Sequence, residues 1–109
     1  MNLVELKNIL EATGYPVAYS HFVESENYPI PAPPFICYLT VYTSNFSADN
    51  SMYFPMQNVQ IELYTDQKDL EAESLVENVL NENEIPFASS EAFIEEENLF
   101  QKIYEVRLF

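Results

Sequence analysis

One glycine, one cysteine, one histidine, no tryptophan and four basic side chains are spread over 109 residues. Each shortage removes a class of function. A loop that cradles phosphate uses several glycines to bring backbone N–H groups close to the anion, and Gly14 stands alone. Cys37 has no second cysteine with which to form an internal disulfide or a thiolate metal site. Within the alternating apolar run Phe35 to Thr43 it reads as a small buried hydrophobe. His21 is the one imidazole, whereas nucleophilic triads and most transition-metal sites need an imidazole with partners. Platforms that stack single-stranded bases combine aromatic rings with basic surroundings, and the basic surroundings are missing. With so little glycine, turn positions that need positive φ are expected to fall to Asn and Asp.

Acidic residues are what the chain has in excess. Eighteen Asp and Glu face four Lys and Arg, a formal charge of −14 and a pI near 4.1. Binding through nucleic-acid phosphates needs a basic surface, and anionic membranes repel the same charge. No apolar run is long enough for a membrane-spanning helix. The opening MNLVELKNIL lacks the basic-then-apolar pattern of a secretion signal. Hydrophobic residues make up 48% of the chain and aromatic ones 15%, too much apolar material for intrinsic disorder. The length suits a single domain over residues 1–109.

Helical and strand periods alternate along the chain. Asn2 as N-cap and Glu5 as its capping-box partner open a helix over 3–13 with the stripe Leu3, Leu6, Ile9 and Leu10. Gly14 and Pro16 stop it. Val17 to Phe22 is a short strand. An extended arm over 23–34 follows, where Pro29, Pro31, Pro33 and Pro34 exclude a central strand. FICYLTVYT, residues 35–43, is the clearest strand, and 44–51 reads as a turn segment with Asp49-Asn50 at its tip. A second long strand over 53–64 is expected to bend or bulge near Pro55. Its Val59, Ile61 and Leu63 face one way and Gln60, Glu62 and Tyr64 the other. Thr65 or Asp66 caps a second helix over 67–82, with Asp69 in its first turn and Asn83 as its left-handed cap. Ala72, Leu75, Val76, Val79 and Leu80 form its apolar stripe, and Glu71, Ser74, Glu77, Asn78 and Asn81 its solvated side. Strands over 86–94 and 99–109 flank a charged turn, Glu95 to Asn98. The order α-β-β-β-α-β-β predicts an α+β fold, a mainly antiparallel sheet of about five strands with both helices on one face.

Few residues offer chemistry. His21 and Cys37 flank the proline arm and form the best candidate for a nucleophilic pair, but no third orienting group is identifiable. The run Glu95-Glu96-Glu97 has the carboxylates for acid–base work without the desolvated cleft that would split their pKa values. Asp66, Asp69, Glu71 and Glu73 lack the alternate spacing and central glycine of a calcium loop and serve instead to start a helix. The reading is therefore of a non-enzymatic protein with no catalytic residues, no metal and no cofactor. What stands out is apolar material in segments that should be polar: Tyr28, Ile30 and Pro31 in the arm, and Phe46, Tyr53, Phe54 and Met56, with Asp49 and Asn50, in the loop 44–56. These are candidate contacts with other copies or partners, unless the arm folds back to cover a sheet edge.

The stretch SADNSMYFPMQNVQIELYTDQKDLEAESLVENVL, then Ile85-Pro86-Phe87, then EAFIEEENLFQKIYEV, resembles a family of small phage and prophage proteins from the head–tail joining region of long-tailed phages. The likeness also takes in GYPVAYSHF and the proline arm before FICYL. Its carriers are Asp49-Asn50, Tyr53, the strand end Val59 to Asp66, Lys68-Asp69, Glu73 and Ile103-Tyr104-Glu105. Members are described as tail-terminator, tail-completion or minor capsid proteins. The resemblance implies a virion component that forms a ring, usually hexameric. Its partners would be the tail tube protein and the head connector or stopper protein, with DNA passing through without specific binding. A channel lined with acids would repel phosphates and let DNA slide. The competing reading is an acidic DNA mimic that inhibits a DNA-binding protein.

Overall fold

The computed structural model describes residues 1–27, 29–47 and 53–109; the side chains of 44–47 and 53–55 lie outside the description. The elements run α1 (Leu3–Glu11), β1 (Val17–Tyr19), β2 (Phe35–Ser47), β3 (Tyr53–Thr65), α2 (Leu70–Glu82), β4 (Ala88–Ile94) and β5 (Leu99–Leu108). The five strands form one sheet in the order β1-β2-β3-β5-β4. Three pairings are antiparallel and β1 runs parallel to β2, with Val17 opposite Ile36. The expected α+β architecture is the one observed.

Both helices cover the same face. Leu6 and Leu10 of α1 and Ala72, Val76 and Leu80 of α2 bury against Ile36, Tyr38, Val59, Ile61, Leu63, Tyr104, Val106 and Leu108. The period-two split in β3 and β5 and the 3.6-residue stripe of each helix meet there, which is where the apolar area leaves water. The other face carries Gln60, Glu62, Tyr64, Gln101, Glu105 and Arg107 and is open to solvent over most of its extent.

Several boundaries differ from the sequence reading, each for a local reason. The helix cap is Asp69, whose carboxylate accepts from the Ala72 N–H at 3.0 Å, rather than Thr65 or Asp66. Thr65 instead ends β3 and is buried, so the helix starts three residues later than expected, at Leu70. Asn83 stays at negative φ, and Glu84 takes the left-handed position at φ 56°. Among the described residues Ser20 at φ 67° and Asn98 at φ 56° are the other non-glycine cases, and of these three one is Asn. Leu75, expected in the apolar stripe, is exposed, and Glu73, outside that stripe, is buried. β1 ends at Tyr19, not Phe22, and α1 ends at Glu11.

The largest difference lies in 44–51. The paired backbone continues through Ser47 opposite Tyr53, so much of the expected turn is strand. The irregularity falls at Val41, between Thr40 and Tyr42, while Pro55 stays in register opposite Asn45. Beyond Gln57, β3 loses β5 as a neighbour, and β2 has β1 beside it only over Ile36–Tyr38. Among the described residues, 44–47 and 53–56 therefore pair only with each other, as a two-stranded ribbon continuing from the sheet.

Candidate functional site

Two recesses and one charged cluster hold most of the chemistry-bearing side chains. The first recess, about 620 Å³, lies on the open face beneath the root of the proline arm. Phe22 meets Phe35 edge-on at 5.4 Å, and Phe35 stacks on Tyr64 at 5.1 Å, so the residue just before the arm packs on the sheet, while 23–27 are exposed. Pro31 and Pro33 line the same recess. Ile30 keeps 48% of its surface exposed, so the arm covers part of the face and presents part of itself.

His21 and Cys37 both line this recess, but their chemistry is not that of a nucleophilic pair. His21 Nδ1 lies 3.1 Å from Ser20 Oγ. Burial, with the Glu62 charge adding to it, pushes the Cys37 thiol up to about 11, so it stays protonated at neutral pH. Burial raises the Tyr64 phenol above its usual range, and the neighbouring Glu62 raises it further. Glu62 accepts from Gln60 Nε2 at 2.7 Å and from the Tyr64 hydroxyl at 3.1 Å, and Gln101 Nε2 donates to that hydroxyl at 3.0 Å. These polar groups satisfy one another along the open face and hold it rigid.

The charged cluster ties α2 to the sheet. Lys68 Nζ lies 2.8 Å from both Glu73 and Glu91, and Lys102 Nζ lies 3.6 Å from Glu73. Hydrogen bonds to Glu73 and then Glu91 raise the Lys68 pKa, and the same contact lowers that of Glu91. All ion pairs among the described residues involve Lys68 or Lys102, so half of the four bases are spent here. Beside the cluster, the Tyr104 hydroxyl donates to Glu77 at 2.9 Å, a partner the sequence had placed on the solvated side. Among the described residues no group of three or more His, Cys, Asp or Glu is arranged to hold a metal ion.

The second recess, about 750 Å³, opens where the ribbon leaves the sheet. Its walls are the ribbon root (Val41, Tyr42, Asn58), the end of β5 and the connection from Asn83 to Ala88. Val41 and Tyr42 are 55% and 59% exposed, large apolar surface left in water. Of the residues singled out from sequence, Met56 is half-buried at the ribbon's base. Phe46, Tyr53 and Phe54 lie in the ribbon by their backbone alone, and Tyr28, Asp49 and Asn50 lie outside the described residues. Val41 and Tyr42 were missed, because inside FICYLTVYT they look like any strand residues. A signal was present in the charges. Between Glu26 and Glu62 the only charged residue is Asp49, although the chain as a whole carries 18 acids.

The fold defines a class before it suggests a particular protein: a two-helix layer on a mixed five-stranded sheet with a projecting hairpin. The same fold occurs in a chain of the solved structure described as "Virion of native gene transfer agent (GTA) particle". That similarity has a TM-score of 0.62 and covers 95% of this chain and 85% of the other, at 10% sequence identity. No protein-family model matches the chain, and neither does any curated protein. Among the described residues no helix is long and apolar enough to cross a membrane.

Proposed function

We propose that this chain is a non-enzymatic structural component of a phage-type virion, a ring of identical copies that closes the tail tube and joins it to the head connector. The observation that carries the reading is the shared fold with a virion chain over nearly the whole length. The likeness of SADNSMYFPMQNVQIELYTDQKDLEAESLVENVL to head–tail joining proteins supports the narrower assignment. Two physical features agree with it. A cap needs partner surfaces rather than chemistry, and the ribbon and the arm residue Ile30 stand clear of the core. DNA passing through a ring must not stick, and a charge of −14 per copy gives a repelling wall. The ring is hexameric in this reading, and its neighbours are the tail tube protein below and the connector or stopper protein above. Its place is the virion, after assembly in the host cytoplasm.

Mixing the purified protein with tail tubes tests this. Electron microscopy is expected to show one added ring at a single end of each tube and tubes that no longer elongate. Protein spread along the tube walls, or absent from the tubes, would refute the capping role.

A further inference from the structure

We infer that the recess at the root of the ribbon is an acceptor site, and that its occupant is the ribbon of a second copy of this chain. The inference rests on the ring reading above and adds to it the surface by which neighbours join.

The recess offers an open strand edge. β4 pairs with β5 only as far as Ala88 opposite Glu105. β3 pairs with β5 to Leu108. Val106, Arg107 and Leu108 therefore have a strand on one side only among the described residues. Continuing the β4 register by two positions would set Pro86 opposite Arg107, and proline has no N–H to extend the ladder. An unpaired edge is a template for another strand. Val41 and Tyr42 line the same recess from β2, across β3 from that edge, and add exposed apolar surface to it.

The ribbon is the matching donor. Among the described residues its two strands pair only with each other and neither outer edge has a strand beside it, and an isolated two-stranded hairpin is marginal in water. Charge decides which part of the chain can approach. Two copies at −14 repel, and each acid brought near another adds to the cost. The 35 residues from Asn27 to Ile61 contain one charge, Asp49, so the ribbon is the part that can enter without that repulsion. Arg107, in a recess wall that Glu84 and Glu105 also line, is one of the two bases outside the Lys68–Lys102 cluster, so an uncharged strand meets less repulsion there than an acidic one. The donor is the ribbon beyond Thr43 and Gln57, and the acceptor is the recess between the ribbon root and the end of β5. Repeating such a head-to-tail contact closes a ring where the rotation allows.

Pairwise crosslinking tests the contact. Thr43→Cys and Met56→Cys place thiols on opposite faces of the ribbon base, because Thr43 pairs with Gln57 and Met56 with Ser44. Each is mixed with a separate Arg107→Cys preparation under mild oxidation; native Cys37 is buried and serves as the background. A disulfide-linked dimer is expected in at least one mixture and in neither donor alone. In parallel, Val41→Glu is expected to weaken self-association at least tenfold, while Val4→Glu, at a more exposed position on α1, leaves it unchanged. Crosslinks formed only between two Met56→Cys or two Thr43→Cys copies would mean that ribbons pair with each other and would overturn the inference. So would rings that form normally with Val41→Glu and give no link to Arg107→Cys; the ring reading would then stand. A protein that never associates, even with tail tubes, would remove the ring reading and this contact together.

Discussion

Replacing Ser44 to Met56 with Asn-Gly leaves a folded protein that no longer associates. The cut is clean because Thr43 and Gln57 are register partners, and an Asn-Gly pair between them makes a two-residue turn of the type that suits strand twist. Met56, the one removed residue whose side chain is described, is half-buried and outside the buried cluster formed by Leu6, Leu10, Val76, Leu80, Ile61 and Tyr104. Unfolding stability should therefore change by no more than about 1 kcal/mol. Self-association should fall at least about 100-fold, a loss of roughly 2.7 kcal/mol of contact free energy per interface. Denaturant unfolding and light scattering on the same preparation separate the two effects. A shortened protein that unfolds far more easily would make the ribbon part of the fold. One that associates as before would remove it from the interface.

Tyr104→Ala has the opposite profile. Tyr104 has no exposed surface, meets Phe87 edge-on at 5.3 Å, and ties β5 to α2 through its hydroxyl and Glu77. Burial first, and the bond to Glu77 second, raise its phenol well above the usual range, so it is a donor at neutral pH. Truncating a buried aromatic to Ala costs about 3–5 kcal/mol through lost transfer energy and the cavity left behind. For a domain of this size the melting temperature should drop by about 12–25 °C. Tyr104→Phe keeps the ring and removes only the donor, so it should cost about 1–2 kcal/mol, with Glu77→Gln recovering part of that. Equal losses for Ala and Phe would show that the hydroxyl, not the ring, holds the layers together.

How far the sequence could be read follows from where its periods were unmixed. Val59, Ile61 and Leu63 against Gln60, Glu62 and Tyr64 alternate without exception, and the observed faces of β3 match them residue for residue. Leu6 and Leu10 were legible for the same reason. Asp69 was placed one turn too late in the helix, because Thr65, Asp66 and Asp69 can all cap and only the length of β3 chooses among them. Glu73 was unreadable as a buried residue. Its partners Lys68 and Lys102 come from a loop and from a distant strand, and only the fold brings them together. Ser44 to Ser47 misled because Ser and Asn are turn formers, whereas continued pairing with Tyr53 to Met56 overrides that preference. Engagement of Glu62, Glu73 and Glu77 inside the protein also takes acids away from any phosphate-like stripe that a DNA mimic would need.

The central claim is that near-neutral appendages join copies whose remaining surface repels. Mass in solution against salt tests it most directly. Screening shortens the range of repulsion to about 10 Å at 0.1 M salt and about 3 Å at 1 M. Light scattering should give a mass near the 12.7 kDa of one chain at low salt and a fixed multiple of it at high salt, or once tail tubes are added. A mass that stays at one chain under all these conditions, or that is largest at low salt, would contradict the account.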